Sequence, residues 1–214
     1  MSMNQTRVAY LTAARTAVAL IADPEVARCW AEPSALDGLR VGGLAAHLGV
    51  QVLRVPTVLD QPAPPGEPLD LLTHFGRVPW VHADPDAEVN VFVRRIGAEM
   101  AEAGPEALLA QVTATLDGVA PAVADAPADR VVAVPPGGWG LTLDDYLVTR
   151  LLEIAVHCDD LAVSVGIDTP ELPAEVIDPV LGLLTRLAVR RHGQPAVLRA
   201  LSRAERAPAD ITAI

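Results

Sequence analysis

The stretch from Thr142 to Val165 reads as one long helix that is apolar around most of its circumference and polar along a single narrow arc. At about 100° per residue, Thr142, Tyr146, Thr149, Arg150, Glu153, His157, Asp160 and Ser164 share that arc, while Leu147, Leu151, Leu152, Ile154, Leu161 and Val165 occupy the rest. A surface helix shows the opposite proportions, so the arc is read as an interior seam. Glu153 and His157 stand four residues apart and point into the same small volume. Burying both is costly unless each is paired or bound to a cation. From this helix alone two readings stay open: half of a metal site, or an ion-pair ladder of Arg150, Glu153 and His157.

A second segment carries the same kind of seam. From Arg40 to Arg54 the polar residues Arg40, His47, Gln51 and Arg54 fall on one helical face, and the remainder is small or aliphatic. Gly43 lies one turn before His47, where a missing side chain leaves room for a ligand or another backbone. If the two helices face each other, they supply two imidazoles and one carboxylate. Three protein ligands with open coordination positions is the arrangement of a catalytic zinc site, and it also suits non-haem iron or nickel.

These residues carry a resemblance. Trp30-x-x-Pro33-Ser34-x-Leu36-x-Gly38, leading into Val41-Gly-Gly-Leu-Ala-Ala-His47-Leu and followed by Arg150-x-x-Glu153-x-x-x-His157-x-x-Asp160-Leu161, resembles the metal-binding domain of mycothiol-dependent maleylpyruvate isomerases, within the DinB-like four-helix superfamily. The resemblance covers roughly residues 5–166 and implies a metal triad of His47, Glu153 and His157. It implies that Asp160 orients a ligand imidazole, and it makes mycothiol the expected co-substrate. Leu39 stands where the family often has Trp, which alters the expected packing at the mouth of the site. Isomerase members carry a second domain, and after Gly166 this 214-residue chain has 48 residues, so the expectation leans to S-transfer over isomerisation.

Composition bounds the rest. With 51% hydrophobic and 3% aromatic residues, the core is expected to be aliphatic and large enough for one domain over residues 1–214, its C-terminal helix and tail spanning 167–214. All 16 basic residues are Arg. That excludes Schiff-base and phosphate-loop lysine chemistry and suits a GC-rich genome such as those of the actinobacteria that make mycothiol. A net charge of −11 without a basic stripe argues against nucleic acid. Arg40, Arg54 and Arg150 are read either as local anion contacts for a substrate or as counter-charges to nearby acids. The polar N-terminus and the break at Arg15 support neither export nor a membrane span, so a cytoplasmic protein with reduced Cys29 and Cys158 is expected. A homodimer is left open.

The coarse organisation is all-α: a DinB-like four-helix bundle with short extra helices and a C-terminal helix. Helices are expected over 6–22 and 40–59, with a short one near 69–75, one opened by Asp84-Pro85 and ending about Glu102, and one over 105–119. Residues 120–129 are expected to be loop and 130–134 a short strand or extended connector. Thr142 is expected to cap the helix bearing Glu153, and Pro179 to sit at or inside the start of a last helix reaching Arg191. Trp30, Trp80 and Trp139 are placed in connectors, and His74 and His82 on the surface or in loops. The function expected is a divalent-metal-dependent enzyme with a low-molecular-weight thiol as metal-bound thiolate nucleophile and a small electrophile as acceptor. Metal-dependent hydrolysis and a non-enzymatic metal- or ligand-binding bundle are the alternatives.

Overall fold

The computed structural model describes residues 3–79, 81, 84, 86–135 and 137–214; Trp80, His82 and Pro85 lie outside the described residues. The chain is helical apart from one two-stranded hairpin. We number the long elements α1 (Met3–Ile21), α2 (Pro24–Arg28), α3 (Val41–Asp60), α4 (Leu71–Phe75), α5 (Glu88–Ala101), α6 (Pro105–Asp125), β1 (Val131–Val134), β2 (Trp139–Thr142), α7 (Leu143–Val165), α8 (Ala174–His192) and α9 (Gln194–Ser202). Helices α1, α6, α3 and α7 form the four-helix bundle, each packed on the next in that cyclic order. Helix α5 covers the outer side of α3, and α8 lies against α7 and α1. The bundle interior is aliphatic, with Leu44, Leu48, Leu147, Leu151, Ile154 and Leu161 fully buried. Burial of such side chains contributes about 1.5–3 kcal/mol each, which makes this core the main source of stability.

Helix boundaries follow capping chemistry where the caps are local. Thr142 accepts the Asp145 N–H at 3.1 Å to start α7, and Gly166 ends it at φ 73°, a left-handed position that suits glycine. Several expected boundaries are corrected. Asp84 does not cap α5; its carboxylate accepts the Asp86 N–H in a local turn, and the helix begins only at Glu88. The 120–129 loop is shorter than expected because α6 continues through Pro121 to Asp125. Proline removes one backbone bond there, but Val119 and Val123 are buried on the inner face and hold the last turns against the bundle. Pro179 falls inside α8, and the tail holds a second helix, α9, beyond it. Of the short strand or extended connector expected at 130–134, the strand is what forms, paired antiparallel with β2 from Val131 opposite Thr142 to Val134 opposite Trp139. Trp139 therefore sits in a strand, not a connector. Helix α6 is long and apolar enough to cross a membrane, yet Leu108, Val112 and Leu116 bury one of its faces in the bundle.

Two features set the position of α3. The Trp30–Gly38 stretch folds back along the start of the helix: Pro33 bridges Arg40, Val41 N–H donates to Glu32, and Gly42 N–H donates to Trp30. At Gly43 the missing side chain makes room for Leu39, and the backbone of Gly97 in α5 packs against the same turn. A Cβ on Gly97 would stand 2.9 Å from the Gly43 carbonyl oxygen. Because that obstacle is backbone, Gly97→Val is expected to push α5 off α3 and destabilise the protein by about 2–3 kcal/mol, lowering the calorimetric melting temperature by roughly 5–10 °C.

Candidate metal centre

Helices α3 and α7 cross with their polar seams facing, and this brings His47, Glu153 and His157 together. His157 Nε2 lies 3.3 Å and His47 Nε2 3.8 Å from Glu153 Oε2. The imidazoles stand edge to face with ring centroids 4.6 Å apart. One ligand atom from each residue lies within 4.8 Å of the others. The His157 Nδ1–H donates to Asp160 Oδ2 at 2.9 Å, which leaves Nε2 turned toward Glu153. Donor atoms about 2.0–2.2 Å from a common ion stand roughly 3–3.6 Å apart, so the set closes on a divalent ion with side-chain movements of about 1 Å. The donor chemistry, two imidazoles and a carboxylate, fits zinc, iron or nickel.

Electrostatics favour the same cluster. Burial opposes ionisation of Glu153, but the His157 ring 3.3 Å away and then the His47 ring 3.8 Å away outweigh it and hold the carboxyl well below its usual range. Burial also disfavours charge on His157, yet the Asp160 and Glu153 carboxylates beside it raise its pKa to about 9. His47 moves the other way, because burial lowers it and Glu153 compensates only in part. A buried carboxylate flanked by one protonated and one neutral imidazole is electrically balanced and can exchange a proton for a cation. Asp160→Ala removes the acceptor that orients His157; zinc affinity measured by competition with a chromophoric chelator is expected to fall about 10–100-fold.

The triad opens onto a cavity of about 470 Å³, within the range of small-molecule sites. Its walls come from α3, α4, α5, α7 and the β-hairpin, and they include Leu39, Phe75, Phe92, Val93 and Val156. Arg54 and Arg150 line it, and Gln51 closes its floor. Gln51 is buried and internally engaged: its amide donates to the His47 carbonyl at 3.0 Å and its Oε1 accepts from Arg150 at 2.5 Å. Arg150 Nε also donates to Thr149 Oγ1 at 3.1 Å, and its guanidinium lies over the Tyr146 ring. Among the described residues Arg150 forms no ion pair with Glu153, so the surface ladder is not what the helix builds. Arg40 is not brought into the site; it is exposed and donates to the Ala31 carbonyl at the start of α3. Cys158 is buried on the opposite side of α7, with its thiol pushed up to about 12 by burial, and Cys29 is likewise buried and free.

Two cavity residues, His74 and Ile214, were not expected there. His74 is neither surface nor loop: it lies in α4, 4% exposed, with Nδ1 accepting the Trp139 indole N–H at 3.1 Å. Ile214 reaches the cavity wall from the tail, where Thr212 O bonds His192 Nε2 at 2.8 Å. The one local clue to α4 is its cap, Asp70 accepting the Thr73 N–H; its placement beside β2 depends on the long-range bond from Leu69 N–H to Gly140 O. Trp30, by contrast, packs at the end of the bundle and donates to the Ala101 carbonyl.

Compared with known proteins, residues 10–162 match the family model described as the mycothiol maleylpyruvate isomerase N-terminal domain, a span that contains the whole triad and Asp160. No curated protein and no solved structure matches the chain.

Proposed function

The chain belongs to the mycothiol maleylpyruvate isomerase N-terminal domain family, and from that premise we propose that it is a divalent-metal-dependent enzyme that uses a low-molecular-weight thiol, mycothiol or a close analogue, against a small electrophile. The observation that carries this reading is the convergence of His47, Glu153 and His157 on the wall of an open cavity. A structural metal site is closed by four protein ligands, whereas three ligands facing a cavity leave room for an exogenous one. A divalent ion held there supplies the Lewis acidity that keeps a bound thiol sulfur in its thiolate form near neutral pH.

The chain's own residues do the remainder. His47, Glu153 and His157 supply the ligand atoms, and Asp160 holds the His157 ring in the tautomer that presents Nε2. Gln51 fixes Arg150 by accepting from its guanidinium, and Arg150 and Arg54 present positive charge to carboxylates of thiol or acceptor. The aliphatic and aromatic walls exclude water from the reacting carbon. Attack of sulfur on that carbon ends in one of two ways: a leaving group departs and an S-conjugate remains, or the C–S bond breaks again after rotation about the former double bond.

The deciding experiment compares turnover of monobromobimane and of a cis-configured unsaturated diacid by zinc-loaded protein with mycothiol, with glutathione and with no thiol. Turnover that requires mycothiol and disappears on zinc removal is expected. Zinc-dependent ester hydrolysis without any thiol would replace this reading with the hydrolase alternative.

A further inference from the structure

We propose that His74 is a substrate-binding residue whose Nε2–H donates a hydrogen bond to an oxygen of the electrophilic co-substrate, and that Trp139 holds its ring in the tautomer that makes this donation. The inference deepens the thiol-addition reading above and rests on it for the identity of the ligand as an electrophile.

His74 is the one buried histidine outside the triad's helices among the described residues, and no step described so far uses it. An indole nitrogen only donates, so the 3.1 Å contact from Trp139 Nε1 requires a lone pair on His74 Nδ1. In a neutral ring the proton is then on Nε2. Nε2 has no hydrogen-bond partner among the described residues, and His74 lines the same cavity as Glu153, Arg150 and His157. The ring is also packed edge to face on Phe75, which fixes its plane. Burial, assisted by the charge of Arg150, brings the His74 pKa down to about 4, so the ring stays neutral at physiological pH.

The site therefore combines a rigid neutral donor, held at both its far nitrogen and its face, with a cavity that must supply the acceptor. That N–H is not sealed off from the cavity and has no protein acceptor among the described residues, so a ligand oxygen placed there gains a directed hydrogen bond. The chemistry gives that oxygen a purpose. When a thiolate adds to a carbon conjugated with a carbonyl or carboxylate, electron density moves onto the oxygen, and a preorganised donor stabilises it as the charge develops. Arg150 brings charge to the same cavity, whereas His74 brings direction without charge. The ligand class is thus an electrophile whose reacting carbon is conjugated to a carbonyl or carboxylate oxygen.

The test uses the full chain and benzoate as probe, because benzoate joins a carboxylate to an apolar body that matches the cavity walls. In protein labelled with ¹⁵N-histidine, the His74 ring is expected to show a protonated Nε2 whose resonance moves as benzoate is added. His74→Phe, which keeps the ring volume and removes the donor, is expected to raise the benzoate Kd about tenfold at unchanged zinc content, and His74→Gln to recover most of the loss. Equal affinity in His74→Phe, a resonance that saturating benzoate leaves in place, or failure of benzoate to bind the wild-type protein would overturn the proposal. Titrating metal-free and zinc-loaded samples side by side separates the two readings. A protein that binds no zinc removes the thiolate reading while the His74 resonance still reports on the donor site.

Discussion

Zinc content of the His157→Ala variant is expected to fall from about one equivalent per chain to less than about 0.1 after dialysis, with affinity reduced on the order of 10³-fold, since one of only three protein ligands is gone. Of the three candidate ligands, His157 has the most support around it. Its Nδ1 is anchored on Asp160 and its Nε2 faces Glu153, so its loss removes a donor and the restraint on a second one together. The truncation also leaves Glu153 buried with only His47 beside it, which costs stability in the metal-free state. His157→Gln preserves more of the volume and separates the two effects: helical circular dichroism is retained while zinc, read by plasma mass spectrometry, is lost. Undiminished zinc in both variants would move the metal centre elsewhere.

The second large effect is on pH dependence. In the metal-free protein the His157 pKa is raised to about 9, above the value near 6.5 of an unfolded chain, because the Asp160 and Glu153 carboxylates outweigh burial. Its stabilising contribution is therefore fully present below about pH 6.5 and is lost as pH rises through 9, a change on the order of 3 kcal/mol. His74 and His47 are shifted downward, so their contributions are lost as pH falls below about 6.5. The melting temperature of metal-free protein is expected to peak near neutrality and to decline toward pH 9, whereas zinc-loaded protein shows no alkaline decline. Zinc binding has the opposite sign, since the ion displaces the His157 proton: affinity rises about tenfold per pH unit up to about 9, with roughly one proton released per ion near pH 7. Calorimetry in two buffers of different ionisation enthalpy counts that proton. A released count near zero would mean that His157 is neutral in the metal-free fold.

Much of the site was legible because its key pairs are local. Glu153 and His157 share a face by helical period, and Asp160 lies a further turn along it, so their mutual contacts needed no tertiary information. His47 and Gln51 were visible as a second seam for the same reason. Arg40 shows where the pattern misleads. It lies on the seam by period, but as the residue before the first helical turn it has an extended backbone, and its side chain turns to the Ala31 carbonyl. The Ala-Pro-rich end of α6 failed differently: Pro121 signals a break, and burial of Val123 overrides it.

The amino-acid sequence by itself determined the helical class, the two polar seams, the cap at Thr142 and the residue types of the candidate triad, because each is set within one or two helical turns. Only the tertiary structure decided that the seams of α3 and α7 face each other, that the backbone of α3 at Gly43 packs closely on Gly97 of α5, and that His74 meets Trp139, 65 residues away. Those contacts come from how whole helices and a hairpin pack around a shared aliphatic core. Periodicity states which face of each element is polar, and only packing states which distant face it meets.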